Sequence, residues 1–149
     1  MKRNPVVAGQ FYPLSPSSIT KQIDTYIEKK AEKVNAIGII SPHAGYIYSG
    51  AVAGSVYSRL SLKPVYVILG PNHTGKGKPY SIMSEGRWKM PQGEVAIDED
   101  LAKEMLHSSE FLQEDILAHA YEHSIEVQLP FLQYFKKPFK FVPIALSYA

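Results

Sequence analysis

The order of apolar and polar positions divides the chain into short elements. Residues 4 to 14 hold Pro5, Gly9 and Pro13 among apolar residues, which predicts an extended segment laid over the core rather than a helix. Ser15 as N-cap with Pro16 at the first helical position then opens a helix. Ile19, Ile23, Tyr26 and Ile27 recur on one of its faces, up to the charged stretch around Lys33. Ala36-Ile37-Gly38-Ile39-Ile40 is a short β-branched apolar run, the form of a strand buried on both faces of a parallel sheet, and it stops at Ser41-Pro42. Ser49 to Leu60, rich in Gly and Ala, predicts a helix packed closely on its strand, and Val65-Tyr66-Val67-Ile68-Leu69 is a second buried strand ended by Gly70-Pro71. Such a β-α-β crossover forces parallel strands and is right-handed with few exceptions.

Residues 70 to 97 are rich in Gly, Pro and polar residues and read as a long, exposed functional loop, with strand-like pieces near Tyr80 to Met83 and Glu94 to Ile97. Asp98 caps a helix over Leu101 and Met105. Another helix carries Ile125, Leu129 and Leu132, bent or interrupted by Pro130, and Phe139 to Leu146 reads as a strand containing Pro143. The expectation is one α/β domain over residues 1–149, with a mixed, largely parallel sheet and helices on both faces. A strand so near the last residue, with no covering helix after it, makes that architecture read as incomplete.

Composition narrows the chemistry. With 149 residues, 45% apolar and 20% charged, the chain has the mixture of an ordered domain. Sixteen basic against fourteen acidic residues leave +2, scattered rather than striped, so nucleic acid is not the expected partner. The absence of cysteine excludes disulfides, a Cys zinc site and a thiol nucleophile. No apolar stretch is long enough for a signal peptide or a membrane span, so the expected location is the cytoplasm, without membrane attachment.

Both predicted parallel strands end in a proline-bearing turn that carries a histidine: Ser41-Pro42-His43-Ala44-Gly45-Tyr46 and Gly70-Pro71-Asn72-His73-Thr74-Gly75. Ligands collect at the carboxyl ends of strands in open α/β sheets, and neighbouring strands lie about 4.8 Å apart. His43 and His73 could therefore converge on one ion, each imidazole binding at about 2.0–2.1 Å. The second turn also spells most of a phosphate loop, G-x-x-x-x-G-K. It has Gly77 where that motif needs Ser or Thr for magnesium, and Lys78-Pro79 opens no helix, which argues against nucleotide hydrolysis.

A third constellation is His119-Ala120-Tyr121-Glu122-His123-Ser124-Ile125-Glu126. On a helix, His119 and His123 would share one face and Glu122 and Glu126 the next. The spelling H-x-x-E-H is also that of inverted zinc peptidases, with His119 and His123 on zinc and Glu122 as base. Against this stands a solvated helix face with charge pairs. The apolar continuation Ile125 to Leu132 favours an inward-facing side.

Four motifs in order, Ala8-Gly9-Gln10-Phe11-Tyr12-Pro13, Pro42-His43-Ala44-Gly45-Tyr46-Ile47-Tyr48-Ser49-Gly50, Leu69-Gly70-Pro71-Asn72-His73-Thr74-Gly75 and Glu122-His123-Ser124-Ile125-Glu126-Val127-Gln128-Leu129-Pro130-Phe131-Leu132, resemble the Memo family. The resemblance covers about the N-terminal half of a typical member. It implies a fold similar to class III extradiol ring-cleaving dioxygenases and a mononuclear metal pocket. His43 and His73 would be its N-terminal ligands, with His123 and Glu122 supporting those ligands or acting in acid–base roles. The family's third ligand is commonly a cysteine near the C-terminus, and this chain has no Cys. The resemblance also implies Fe(II), with copper or zinc as alternatives and possible loss of the metal, and redox or dioxygenase-type activity on a small molecule. Functional association with a radical-SAM protein is a further implication. The rival is a non-catalytic binding module that takes a peptide or partner protein in the same pocket. An exposed sheet edge would also allow a homo-oligomer.

Overall fold

The computed structural model describes residues 1–147. The α/β expectation holds, with one change of plan: the strands form two mixed sheets rather than one. In the first, β1 (Lys2–Arg3) runs parallel to β4 (Arg87–Met90), which pairs antiparallel with β5 (Gly93–Ala96). In the second, the order is β2 (Val65–Pro71), β7 (Lys140–Leu146), β3 (Tyr80–Ile82), β6 (Gln113–Glu114). β2 and β7 are parallel, from Val65 opposite Lys140 to Pro71 opposite Leu146, and β3 is antiparallel to β7. β2 is thus an edge strand.

α1 (Pro16–Tyr26) starts at Ser15, whose hydroxyl accepts the Ser18 N–H. It ends well before Lys33, because Glu28 N–H turns to the Ser58 hydroxyl instead of continuing the helical ladder. α2 (Tyr46–Arg59) begins earlier than its glycines and alanines predict. Those small residues let it touch the end of α1: a Cβ added to Gly54 would lie 2.5 Å from the Tyr26 carbonyl oxygen. α3 (Glu99–Ser108) is capped by Asp98 as expected. α4 (Leu117–Ala120) is a single turn, and a short 3-10 stretch at Glu126–Gln128 leads into α5 (Leu129–Tyr134), with Pro130 in its first turn.

The core lies where these elements meet. Ile19 and Ile23 of α1, Tyr57 of α2, Phe131 of α5 and Phe141 of β7 are buried; Tyr57 stacks on Phe131 with centroids 5.2 Å apart, and Trp88 meets Phe141 edge-on at 5.3 Å. Each such side chain contributes about 1.5–3 kcal/mol by leaving water.

One expectation fails and another holds only in part. Residues 36–40 form no strand: Ile37 and Ile40 are open to solvent, and the nearby bridge joins Val34 to Leu60. An apolar run becomes a strand only with a ladder partner, and a cavity separates this one from β2. Residues 70–97 hold the two expected strand pieces, β3 and β5, but β4 adds an unexpected partner that turns the second into a hairpin closing at Gly93 with φ 121°. The four-residue strand at Trp88 has too short an alternation to stand out among Gly and Pro.

Candidate metal centre

His73 stands two residues past β2, at its carboxyl end, and His43 lies in the turn before α2. The His43 turn is held by Gln128, whose amide donates to the Pro42 carbonyl (3.0 Å) while its oxygen accepts the Tyr57 hydroxyl (2.8 Å). The start of α2 is pinned as well, Tyr46 N–H donating to the Phe11 carbonyl (2.7 Å) and its hydroxyl to that of Val127 (2.7 Å).

The third constellation is not one helix. Asp115 caps α4 by accepting Leu117 N–H at 2.7 Å, but the helix stops at Ala120. The reason is local: the Glu122 carboxylate folds back to accept the N–H groups of His123 and Ser124, both at 2.8 Å, which satisfies donors a helix would have used. His119 and Glu126 therefore part company with Glu122 and His123. His119 is buried against Trp88, with Nε2 3.2 Å from the Ser81 carbonyl and no hydrogen-bond partner for Nδ1 among the described residues. The zinc-peptidase pairing of His119 with His123 is corrected on this point, because His119 faces the core and not the pocket.

Glu126 is fully buried in a different network. It pairs with Arg3 (Nη1 to Oε2, 2.7 Å) and accepts the N–H groups of Val6 and Val7 and the Tyr12 hydroxyl. Burial, with Glu126 adding to it, raises the Tyr12 phenol well above its usual value. Arg3 also donates to the carbonyls of His119 (2.7 Å) and Glu122, and its guanidinium lies 4.0 Å from the Trp88 ring centroid. A buried ion pair near the N-terminus thus fixes the backbone that presents Glu122 and His123. Neither the Arg3 contacts nor the role of Gln128 has a local sequence signal, since both link residues far apart in the chain. Tyr12 was visible only as part of the first family motif.

Three imidazoles meet where the turns converge. Ring centroids are 5.1 Å apart for His43 and His73, 4.7 Å for His73 and His123, and 6.0 Å for His43 and His123. They border an open cavity of ≈680 Å³ together with Phe11, Ile47 and Tyr48, and Phe11 rests on His123 at 4.8 Å. Desolvation lowers the pKa of both His43 and His123; the neighbouring imidazoles act in the same direction and Glu122 opposes. Both rings are kept neutral, the form that binds metals.

Behind them, Glu122 is buried. Its carboxylate accepts the N–H groups of His73, His123 and Ser124 and faces His73 Nδ1 at 3.0 Å. Burial alone would raise its pKa, but hydrogen bonds from the His73 ring and from the backbone of Ser124, His73 and His123 outweigh it and hold the group at about 2. An ionised carboxylate only accepts, so the contact places a proton on His73 Nδ1, and in the neutral ring the lone pair then lies on Nε2. That is the carboxylate–histidine arrangement which orients and strengthens metal-binding imidazoles. Gly70 makes it possible: a Cβ there would lie 2.5 Å from Ser124 Oγ and 2.8 Å from Ile125 Cγ1, so only glycine lets the 122–125 stretch approach β2 so closely.

The donor set fits a metal ion. One candidate atom from each of His73, Glu122 and His123 lies within 4.8 Å of the others. Two imidazoles on one ion at about 2.0–2.1 Å place their ring centroids roughly 4.5–6 Å apart, the range seen here. His43 stands beside this group and not within it. The structure thus brings His43, His73, Glu122 and His123 together and places His119 and Glu126 elsewhere, and the Glu122 oxygens are already occupied by donors.

Over the matched length, the Memo family profile, described as Memo-like protein, covers residues 3–149. The chain belongs to the Memo family. Among its relatives, a MEMO1 family protein of Methanosarcina barkeri is 47% identical over 147 residues, 97% of this chain and 54% of the relative. One of Thermotoga neapolitana is 44% identical over 163 residues (98% and 58%), and one of Aquifex aeolicus 46% over 149 residues (98% and 55%). The chain spans a little over half the length of these Memo relatives. No helix among the described residues is long and apolar enough to cross a membrane.

Proposed function

We propose that this Memo chain carries a mononuclear metal pocket at the carboxyl end of β2, serving redox or dioxygenase-type chemistry on a small molecule, with Fe(II) as the metal. The observation that carries it is the Glu122–His73 pair set beside two neutral imidazoles at metal-binding spacing. His43 and His73, whose ring centroids lie 5.1 Å apart, would hold the ion. Bound iron would supply redox chemistry there. Glu122 orients His73 and keeps its proton on Nδ1. Its pKa of about 2 makes it a fixed anion at neutral pH and a poor proton carrier, which leaves His123 as the acid–base group of the pair. Phe11 and the rim residues Ile47 and Tyr48 shape an apolar mouth for a small molecule. A cytoplasmic setting and work alongside a radical-SAM protein belong to the same reading.

The test is anaerobic purification with measurement of bound metal in the wild type and in His43→Ala, His73→Ala and His123→Ala. Iron at near-stoichiometric level, lost most in His73→Ala, is expected; unchanged iron in all three variants would end the proposal. A second reading, a binding module for a peptide or partner protein, draws on the strong exposure of Ile47 and Tyr48 at the pocket mouth. It predicts that ligand binding survives the histidine substitutions.

A further inference from the structure

The apolar run at residues 36–40 is the molecule's least explained feature. Ile37 is 110% and Ile40 95% exposed, although they sit in a sequence built for a buried strand. The run is tethered at both ends. Val34 N–H donates to the Arg59 carbonyl (2.7 Å) and its own carbonyl accepts Ser61 N–H (3.0 Å), while Gln128 holds the Pro42 carbonyl (3.0 Å). Between the run and β2 lies a cavity of ≈510 Å³, lined by Ile37, Ile39, Val65, Val67 and Leu69 and floored by Leu132.

The facing edge of β2 is ready to pair. Its ladder with β7 is bracketed by Lys140 N–H to the Pro64 carbonyl (2.9 Å) and Asn72 N–H to the Leu146 carbonyl (2.7 Å). Alternation along a parallel strand then turns the N–H and C=O of Tyr66, Ile68 and Gly70 to β7, and those of Val65, Val67 and Leu69 outward. These outward groups have no ladder partner among the described residues. An unpaired edge beside an exposed β-branched run is a template for strand addition.

We propose that the space between residues 36–40 and β2 receives a single extended β-strand. Its source is the part of a family-length Memo polypeptide that this chain does not match. The occupant must pair on both of its edges, with β2 on one side and residues 36–40 on the other. A second copy of this chain cannot supply it from β2, which is already committed to β7 on one edge. The relatives, of which this chain matches only 54–58%, do contain further polypeptide. The cavity runs past Gly70 and Pro71 to His43, so the inserted strand would complete the sheet beside the imidazole cluster. The inference does not depend on a metal being bound, and its test does not read metal content.

The test co-expresses the tagged chain with the unmatched remainder of the Methanosarcina barkeri relative. Amide hydrogen exchange is then followed on the chain alone and on the co-purified complex. A 1:1 complex is expected, with exchange slowed at least about tenfold at Val65, Val67, Leu69 and within residues 37–40. Val67→Pro removes an outward N–H without touching the β7 ladder, and Ile40→Lys charges the facing run. Each should cut the captured partner at least about tenfold. The proposal is overturned if the remainder does not co-purify, soluble or not, or if protection appears elsewhere. It is equally overturned if both variants capture as much as the wild type. Protection of the same amides in the chain alone would also overturn it, whether from closure of residues 36–40 onto β2 or from self-association.

Discussion

Replacing Glu126 with alanine tests the idea that an interior ion pair holds the pocket in shape. The substitution leaves the Arg3 guanidinium, whose side chain is 4% exposed, without its counter-charge. It also removes the acceptor for Val6 N–H, Val7 N–H and the Tyr12 hydroxyl. Breaking a buried pair from one side costs about 3–5 kcal/mol. The stranded donors would each cost about 1–3 kcal/mol if left dry, but water entering the vacated space relieves part of that, so the two contributions do not simply add. For a chain of this length about 2–4 °C of melting temperature is lost per kcal/mol, which gives a fall of roughly 6–20 °C. Glu126→Gln keeps an acceptor oxygen and should lose clearly less. Thermal melts followed by circular dichroism, with urea titrations for the free energy, measure both. A loss below about 1 kcal/mol in Glu126→Ala would refute the reasoning, because a solvated Arg3 is the only way to escape the cost.

Three further outcomes are expected. His119 is driven to about 4 by burial, partly opposed by the Ser81 carbonyl, against an ordinary value of 6.5; its contribution is therefore complete above about pH 6.5 and is lost as pH falls through about 4. The 6.5 − 4 = 2.5 units correspond to about 3 kcal/mol, so urea midpoints at pH 7 and pH 4.5 should differ more in the wild type than in His119→Leu, and equal differences would count against a buried neutral imidazole. Glu122→Gln should weaken metal retention about 10- to 100-fold in a competitive chelator titration while the chain still folds, and unchanged affinity would deny the orienting role. Gly70→Ala should cost about 1–3 kcal/mol in stability and lower metal retention as well, because the added methyl pushes Ser124 and Ile125 away from β2; a variant as stable as the wild type would show that the approach is not tight.

How far the sequence anticipates the structure follows the range of the forces involved. α1, α3, β2 and β7 were legible because caps and apolar periods are local signals, as at Ser15 and Asp98. The meeting of His43 and His73 was legible from the repeated placement of a histidine after an apolar run, although only one of those runs became a strand. Residues 36–40 show the limit of that logic, since composition specifies a strand and only a neighbour can make one. Helical spacing carried through Tyr121 to Ile125 puts His119 and Glu126 on the wrong faces, because the helix ends at Ala120. The Glu122 carboxylate breaks that helix by capturing its N–H groups, and no window of the sequence announces it. Arg3 gave no signal at all, as its partners lie more than a hundred residues away.

That separation has a kinetic consequence. Arg3 and Glu126 are 123 positions apart, and Tyr12 and Glu126 are 114 apart, so the backbone carrying His123 locks only after a loop of that length has closed. Contacts of such high order form slowly and late. During synthesis the helices α1 and α2 can pack while the ribosome is still adding residues, but the pocket has to wait until Glu126 has emerged.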